Sequence, residues 1–288
     1  MSEPELNLTV LESYPLTQQS AMLEVAFQYS RLIRYPERNA AERSLQLLHA
    51  RNKITASAAL RDVPQPAQRD DEGHLSGRFQ IDSGQVDEQL FLGFSWRPAY
   101  HDLTDQTLGY PQGSELRFFD TTVRVYEEDG FKIEDFTLVG IQSLKARNRF
   151  FKPLSWRVAL SGRRVYEGES RPWVPSAEGL LGPSWQMGSG LFYALVGGEA
   201  RLSKKLANGY DALAKTDFGF IDHSASQQLA VGISIAKSLE NPADNEYHFF
   251  ARQVFKITPR WNVYWDFGRR NDQDRYRSAF DIGVNVYQ

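Results

Sequence analysis

The sequence predicts an all-β fold, an antiparallel transmembrane β-barrel of about 12 strands with ten as the second count, preceded by a short helical segment. Three observations predict it. From about His74 onward apolar residues recur at every second position, the period of a strand with one apolar face. The faces opposite those stripes are small or polar and include Arg157, Asp266 and Asp281. Residues 74–288 comprise 215 residues. At about 18 residues per membrane-crossing strand and turn, that length holds about 12 strands, and single-chain bacterial barrels use even numbers.

Taken in order, Met1 to Pro15 opens Ser-Glu-Pro-Glu and lacks the basic start, apolar core and small-residue cleavage site of a secretory signal. The expectation is a cytoplasmic chain or a piece of a longer polypeptide whose export signal lies upstream. Thr17 or Ser20 can cap a helix in which Met22, Val25, Ala26, Tyr29, Leu32 and Ile33 recur at three- and four-residue spacing, ending near Pro36. A second helix is expected over Ala40 to Ile54, with Leu45, Leu47, Leu48 and Ile54 on a narrow apolar face. Residues 1–61 thus read as a helical connecting segment. Residues 62–73, with Pro64, Pro66 and the run Asp70, Asp71, Glu72, read as an exposed linker.

Residues 74–288 read as the barrel. Leu90, Leu92, Phe94 and Trp96 share a face, as do Trp156, Val158 and Leu160. Leu229, Val231, Ile233 and Ile235 alternate with Gln228, Ala230, Gly232 and Ser234. Val263, Trp265 and Phe267 form another stripe, and Phe280, Ile282, Val284 and Val286 a last one against Asp281, Gly283 and Asn285. Glu127-Glu128-Asp129-Gly130 is a hairpin signal. Lys204 to Gly209, Asn241 to Asn245 and Arg269 to Arg275 read as polar connections, and Pro98 to Gly113 and Val165 to Pro183 as longer ones.

Composition narrows the function classes. Thirty-three basic against 36 acidic residues give a net charge of −3, which argues against a nucleic-acid partner recruited by bulk positive charge. Cysteine is absent, so thiol catalysis, thiolate-bound metals and disulfides are excluded. The longest apolar candidate, Leu191 to Val196, is far shorter than the ~18 residues of a membrane-spanning helix.

Alternation alone does not say which medium meets the apolar stripes. Barrels wider than about eight strands enclose a cavity, which suits a polar interior. Basic groups facing lipid at midplane would cost about 2–4 kcal/mol each. The stripes Leu229, Val231, Ile233, Ile235 and Phe280, Ile282, Val284, Val286 are therefore expected to face lipid. Arg97, Arg124, Arg157, Asp217, Asp266 and Asp281 are expected to face the lumen. Mixed signs there favour pairing across the interior over a selective channel. Trp96, Tyr100, Phe118, Phe119, Phe150, Phe151, Trp173, Trp185, Tyr193, Tyr210, Tyr247, Trp261 and Tyr287 sit near predicted strand ends, where interfacial girdles occur, although aromatics also serve as ordinary strand formers.

Several segments also carry a family resemblance. Arg97-Pro-Ala-Tyr-His-Asp-Leu-Thr-Asp105 followed by Gly109-Tyr110 resembles a motif in the C-terminal part of Lnb-type proteins of Gram-negative bacteria. So do Phe119-Asp120, Ile141-Gln-Ser-Leu144 and Arg149-Phe-Phe-Lys-Pro-Leu-Ser-Trp-Arg157. Leu23 to Tyr35 and Leu47 to Ile54 resemble the stretch before it, and beyond Gly209 only the alternation matches. The resemblance implies an outer-membrane barrel that follows a periplasmic domain with a cysteine-based active site, related in some members to lipoprotein N-acyl transfer. With no cysteine in this chain, it implies location and architecture while the activity resides upstream. The partners it implies are outer-membrane lipid and that upstream domain of the same polypeptide.

Two further readings stay open at this level, a barrel lipid hydrolase or acyltransferase with its own Ser-His site and a soluble β-rich binding protein. His101, Asp102 and Asp105 with Tyr100 form the densest titratable set in a predicted loop. His101 as base beside Asp102, with Ser155 or Ser114 as nucleophile, is the candidate constellation, and hydrogen bonds that pin the loop are the simpler account. No Gly-x-Ser-x-Gly elbow is present. His49, His74, His101, His223 and His248 show no ligand spacing, so no metal and no cofactor are expected.

Overall fold

The computed structural model describes residues 8–32, 40–56, 73–105, 110–165, 171–204, 206, 208–224, 226–241, 245–272 and 275–288. It falls into two compact units, Met1–Pro66 and Ala67–Gln288. In the first, a 3-10 turn Thr9–Ser13 leads to helices α1 (Leu16–Leu32) and α2 (Ala40–Asn52). Leu23 and Leu47 are buried, the Ser30 and Ser44 hydroxyls meet at 2.8 Å, and Arg51 lies 3.7 Å from Glu24. The helix starts ahead of both expected caps. The Pro15 carbonyl accepts bonds from the Gln18 and Gln19 amides, so Thr17 and Ser20 lie inside the helix, and Ser20 is fully buried. A proline just before the first turn explains the shift, because its missing N–H needs no partner there. Of the expected linker, residues 62–72 lie outside the described residues.

The second unit contains fifteen strands among the described residues: β1 (Arg78–Val86), β2 (Gln89–Arg97), β3 (Ala99–His101), β4 (Ser114–Tyr126), β5 (Gly130–Ser143), β6 (Ala146–Arg147), β7 (Ser155–Arg164), β8 (Trp173–Gly182), β9 (Ser184–Met187), β10 (Gly190–Leu202), β11 (Tyr210–His223), β12 (Gln227–Ser238), β13 (Asn245–Thr258), β14 (Trp261–Asp272) and β15 (Arg275–Tyr287). β3, β6 and β9 are short. The other twelve pair antiparallel in chain order, and β15 returns to β1 in a register running from Arg78↔Tyr287 to Val86↔Ala279. The ring is closed, which leaves no unpaired sheet edge among these twelve. Because twelve is even, β1 begins and β15 ends at the same mouth, the terminal end. β3, β6 and β9 also lie toward this end: β3 pairs with β4 and β9 with β10 on margins that β2 and β8 leave free, and β6 pairs in parallel with β9.

The barrel is apolar outside and polar inside. On β15 Phe280 and Ile282 are exposed and Val284 and Val286 partly so, while Asp281, Gly283 and Asn285 are buried. On β12 Ile233 and Ile235 are exposed and Leu229 and Val231 partly so, while Gln228, Ala230 and Ala236 are buried. Leu90, Leu92, Phe94 and Trp96 on β2 stand outward against buried Phe91, Ser95 and Arg97. Such a surface is the inverse of a water-soluble core and is that of a transmembrane β-barrel of the outer-membrane type.

Three sequence expectations are corrected. Val165 to Pro183 is not one long connection, because β8 occupies Trp173–Gly182. Pro175 and Gly179 mask its alternation. Pro175 is tolerated because the ladder to β10 stops one residue short of it, at Ser176↔Arg201. The polar stretch Arg269 to Arg275 is mostly strand, and Arg270 lines the interior, which admits charge. Of the candidate girdle aromatics, Tyr193 and Tyr287 turn inward and are almost fully buried, since each shares the parity of lumen residues on its strand.

Candidate functional site

At the terminal end the connection between β2 and β4 folds into the mouth and is latched there. Asp105 is the centre of the latch. Its Oδ1 accepts bonds from the Tyr287 hydroxyl at 2.8 Å and from Arg78 at 3.2 Å, and its Oδ2 lies 2.6 Å from Arg97. Asp102 accepts from Arg78 at 2.9 Å and, through its other oxygen, from the Thr104 amide and hydroxyl. The loop is thereby tied to both strands of the β1–β15 seam at its terminal end. From the far wall, His223 on β11 bonds the Leu103 carbonyl at 2.9 Å. Leu103 also packs against the buried cluster of Leu144, Leu180, Leu191, Tyr193, Leu195, Ile221 and Ala230. Gly113 ends the loop with φ +76°, and a Cβ there would lie 2.6 Å from the Leu144 carbonyl, so glycine is required for the chain to re-enter β4.

Three rings stack beside the latch. Tyr110 lies 4.4 Å from His101 and 4.6 Å from His74, centre to centre, and its hydroxyl donates to the His74 carbonyl. The His74 Nδ1 proton goes to the Leu75 carbonyl at 2.7 Å, which leaves Nε2 to accept from His101 Nδ1 at 2.8 Å. With one ring nitrogen donating and the other accepting, the His74 imidazole is neutral. Burial holds His74 below its ordinary value, against the opposing pull of Asp105. Burial would raise the two carboxyls, but the guanidinium groups prevail. Arg78 first, then Arg252 and Arg97, hold Asp102 well below the carboxylate range, and Arg97 with Arg78 does the same for Asp105. In direct contact, Arg78 and Arg97 face the ionised Asp102 and Asp105, and these four buried charges balance.

The pH dependence follows from these directions. Between its depressed folded value and about 6.5, His74 takes up a proton in the unfolded chain but not in the barrel, so its effect on stability worsens as pH falls through that range. The aspartates, whose folded values are depressed, stay ionised there. Urea unfolding in detergent is expected to show the native barrel losing stability from pH 7 to 5, and His74→Gln losing less of it. Equal slopes would remove the assignment.

The candidate catalytic constellation is not assembled among the described residues. His101 and Asp102 belong to the latch. The Ser155 hydroxyl meets the Ser184 hydroxyl at 2.7 Å and the Lys145 backbone, and the Ser114 hydroxyl donates to the Pro111 carbonyl, so among the described bonds neither serine meets an imidazole. The scattered histidines need a different correction. His74, His101 and Asp105 converge, with potential ligand atoms within 4.8 Å of one another. Sequence spacing hid this because the β1–β2 hairpin, in which Arg78 pairs with Arg97, carries the residues before β1 to the loop after β2. Each of those atoms already has a protein partner, the shared proton between the imidazoles and Arg97 on the carboxylate.

Above the latch lies a cavity of about 630 Å³ whose lining includes Asp102, Leu103 and Thr104. Arg124, Arg157, Asp266 and Asp281 also line it, whereas Arg97 is buried in the latch. Nine acidic and nine basic side chains surround the space, so its walls favour neither sign. Side chains on the inner wall are also joined along chords. Arg124 on β4 reaches Asp281 on β15 at 3.2 Å, Arg157 on β7 pairs with Asp217 on β11, and Arg201 on β10 holds Glu246 on β13 at 2.5 Å. Arg252 on β13 donates to Gln80 on β1 at 3.2 Å. Each chord skips two intervening strands, an arc of about 14 Å at ~4.8 Å per strand, so the lumen is cross-braced. Arg78, Tyr287 and Asn262 are the latch residues that sequence reasoning missed. Asn262 donates to the Tyr287 hydroxyl at 2.8 Å and extends the latch into β14, and the only sequence signal was their parity with the polar face.

Among solved structures the chain is similar to the NanC porin, at 11% identity and a TM-score of 0.42 over 73% of this chain and 99% of that one. It is also similar to the translocator domain of the autotransporter NalP from Neisseria meningitidis, at 12% identity and a TM-score of 0.42 over 88% and 98%. A third is OmpT, an outer membrane protein of Vibrio cholerae, at 8% identity and a TM-score of 0.38 over 74% and 96%. No curated protein matches the chain. One family model matches residues 67–287, the whole closed ring with its latch, and by that match the chain belongs to the family described as a domain of unknown function, DUF7840.

Proposed function

We propose that this barrel resides in the outer membrane as the anchor and scaffold of a periplasmic domain carried upstream on the same polypeptide, as in Lnb-type proteins. In this reading it also gives that domain access to membrane lipid. The observation that carries it is the latch combined with the cross-lumen ion pairs. A conducting pore needs an open path and a lining suited to its solute. Here the mouth is occupied by residues 99–105, and the charges are spent on one another. The same latch stiffens the point where chain entering β1 leaves the barrel, which suits a mount.

Two measurements test this. Planar bilayers containing the purified barrel are expected to show no resolvable conductance steps, and a large, steady, ion-selective conductance would replace the anchor with a pore. In membranes carrying the longer polypeptide, cutting at a protease site introduced ahead of His74 is expected to release the upstream domain and reduce its activity on lipid substrates. Equal activity after release would remove lipid access from the proposal, and failure to release the domain would remove anchoring.

A further inference from the structure

The connection from β5 to β7 carries a surface that neither the latch nor the lumen uses. Phe150 is 70% exposed and Phe151 51%, with Leu154 also exposed. They are held by a folded turn. Asn148 Oδ1 accepts from the Phe150 and Phe151 amides at 2.8 and 2.7 Å, the Asn148 amide donates to the Phe151 carbonyl at 2.8 Å, and Arg147 donates to the Pro153 carbonyl. At its base, β6 pairs with β9, which places exposed Trp185 and Met187 beside it. Beyond Leu154 the surface runs into Trp156 and so into the apolar exterior of β7.

Charge selects the partner. Lys145, Arg147, Arg149 and Lys152 flank the two phenylalanines, and no acidic residue occurs between Asp135 and Glu167. At the opposite end of β5 its turn from β4 carries Glu127, Glu128 and Asp129. Aromatic side chains ringed by unopposed cations and continuous with a lipid-facing wall match the boundary of an anionic leaflet, where rings enter the acyl region and ammonium and guanidinium groups meet phosphates. We propose that the 145–154 loop is a lipid anchor at the terminal end. Phe150, Phe151 and Leu154 enter the leaflet there, and Lys145, Arg149 and Lys152 bind the headgroups of anionic phospholipids. The proposal rests on the barrel crossing a membrane and is independent of what lies upstream.

The absence of cysteine allows clean single-site labelling. Spin labels on Phe151→Cys, Ile282→Cys and Glu128→Cys are compared in bilayer discs of phosphatidylethanolamine and phosphatidylglycerol. Labels at 151 and 282 are expected to relax with oxygen, and the label at 128 with a water-soluble nickel chelate. Mass spectrometry of the intact protein is expected to show phosphatidylglycerol retained over phosphatidylcholine by about tenfold or more, a preference lost in Lys145→Gln/Arg149→Gln/Lys152→Gln. A label at 151 in water while that at 282 lies in lipid overturns the anchor, and equal retention of the two lipids overturns the headgroup site. A label at 282 in water overturns the membrane-spanning reading and this proposal with it.

Discussion

Replacing Asp105 by alanine is expected to lower the unfolding free energy of the barrel by about 3–5 kcal/mol, because it leaves buried guanidinium charge without its partner. Arg97 is wholly buried and lies 2.6 Å from Asp105, whereas its approach to Asp102 is 3.9 Å. The same change strips the Tyr287 hydroxyl of its acceptor and unties the loop from β15. Desolvation makes the effect large. On a wet surface the same pair would contribute no more than about 1 kcal/mol. Urea unfolding in detergent, followed by tryptophan fluorescence and by the shift between folded and heated bands on a gel, measures it. The double variant Arg97→Met/Asp105→Leu removes both charges and should recover most of the loss. A single variant as stable as the native barrel would show that water reaches the cluster and that the latch is not dry.

The second large effect is expected at Gly182, where β8 bends toward β9. A Cβ there would sit 2.0 Å from the Ala194 carbonyl oxygen and 3.0 Å from Leu195 Cα. Those atoms belong to the β10 backbone and cannot move aside as a side chain would. Next to this point the Pro183 carbonyl accepts the Ala194 amide at 3.1 Å, which carries the ladder from β8 to β9. Gly182→Val must break that junction, and the cost is expected to exceed the about 1–3 kcal/mol of ordinary overpacking. Refolding into detergent should yield little heat-modifiable barrel, while Gly179→Ala, whose Cβ would meet nothing within 4 Å, should refold normally. Normal refolding of Gly182→Val would mean that the junction is more plastic than its geometry implies.

The strands that were easiest to read, β2, β7, β12, β14 and β15, alternate cleanly because each is long and faces lipid on one side and water on the other. β8 was hidden because Pro175 and Gly179 stand on its outer face, where only the neighbouring ladders reveal what a proline can be spared. The site was legible in its residues but not in its meaning. Arg97, His101, Asp102 and Asp105 stand within nine positions of one another, and that density marked the loop. Arg78, Tyr287 and Asn262, which complete the latch, are up to 209 positions apart in the chain, from 78 to 287, and no local period connects them.

The amino-acid sequence alone determined the period of two, the parity that separates apolar from polar faces, the length that allows about 12 strands and the exclusion of cysteine chemistry. These are local or additive properties, written residue by residue. Only the tertiary structure decided that the ring closes between β1 and β15, that the β2–β4 loop turns inward, and which lumen charges meet across chords. Those depend on how far apart in space the curvature of a closed sheet sets residues distant in the chain. Partners brought together by closure carry no spacing that a linear reading can detect.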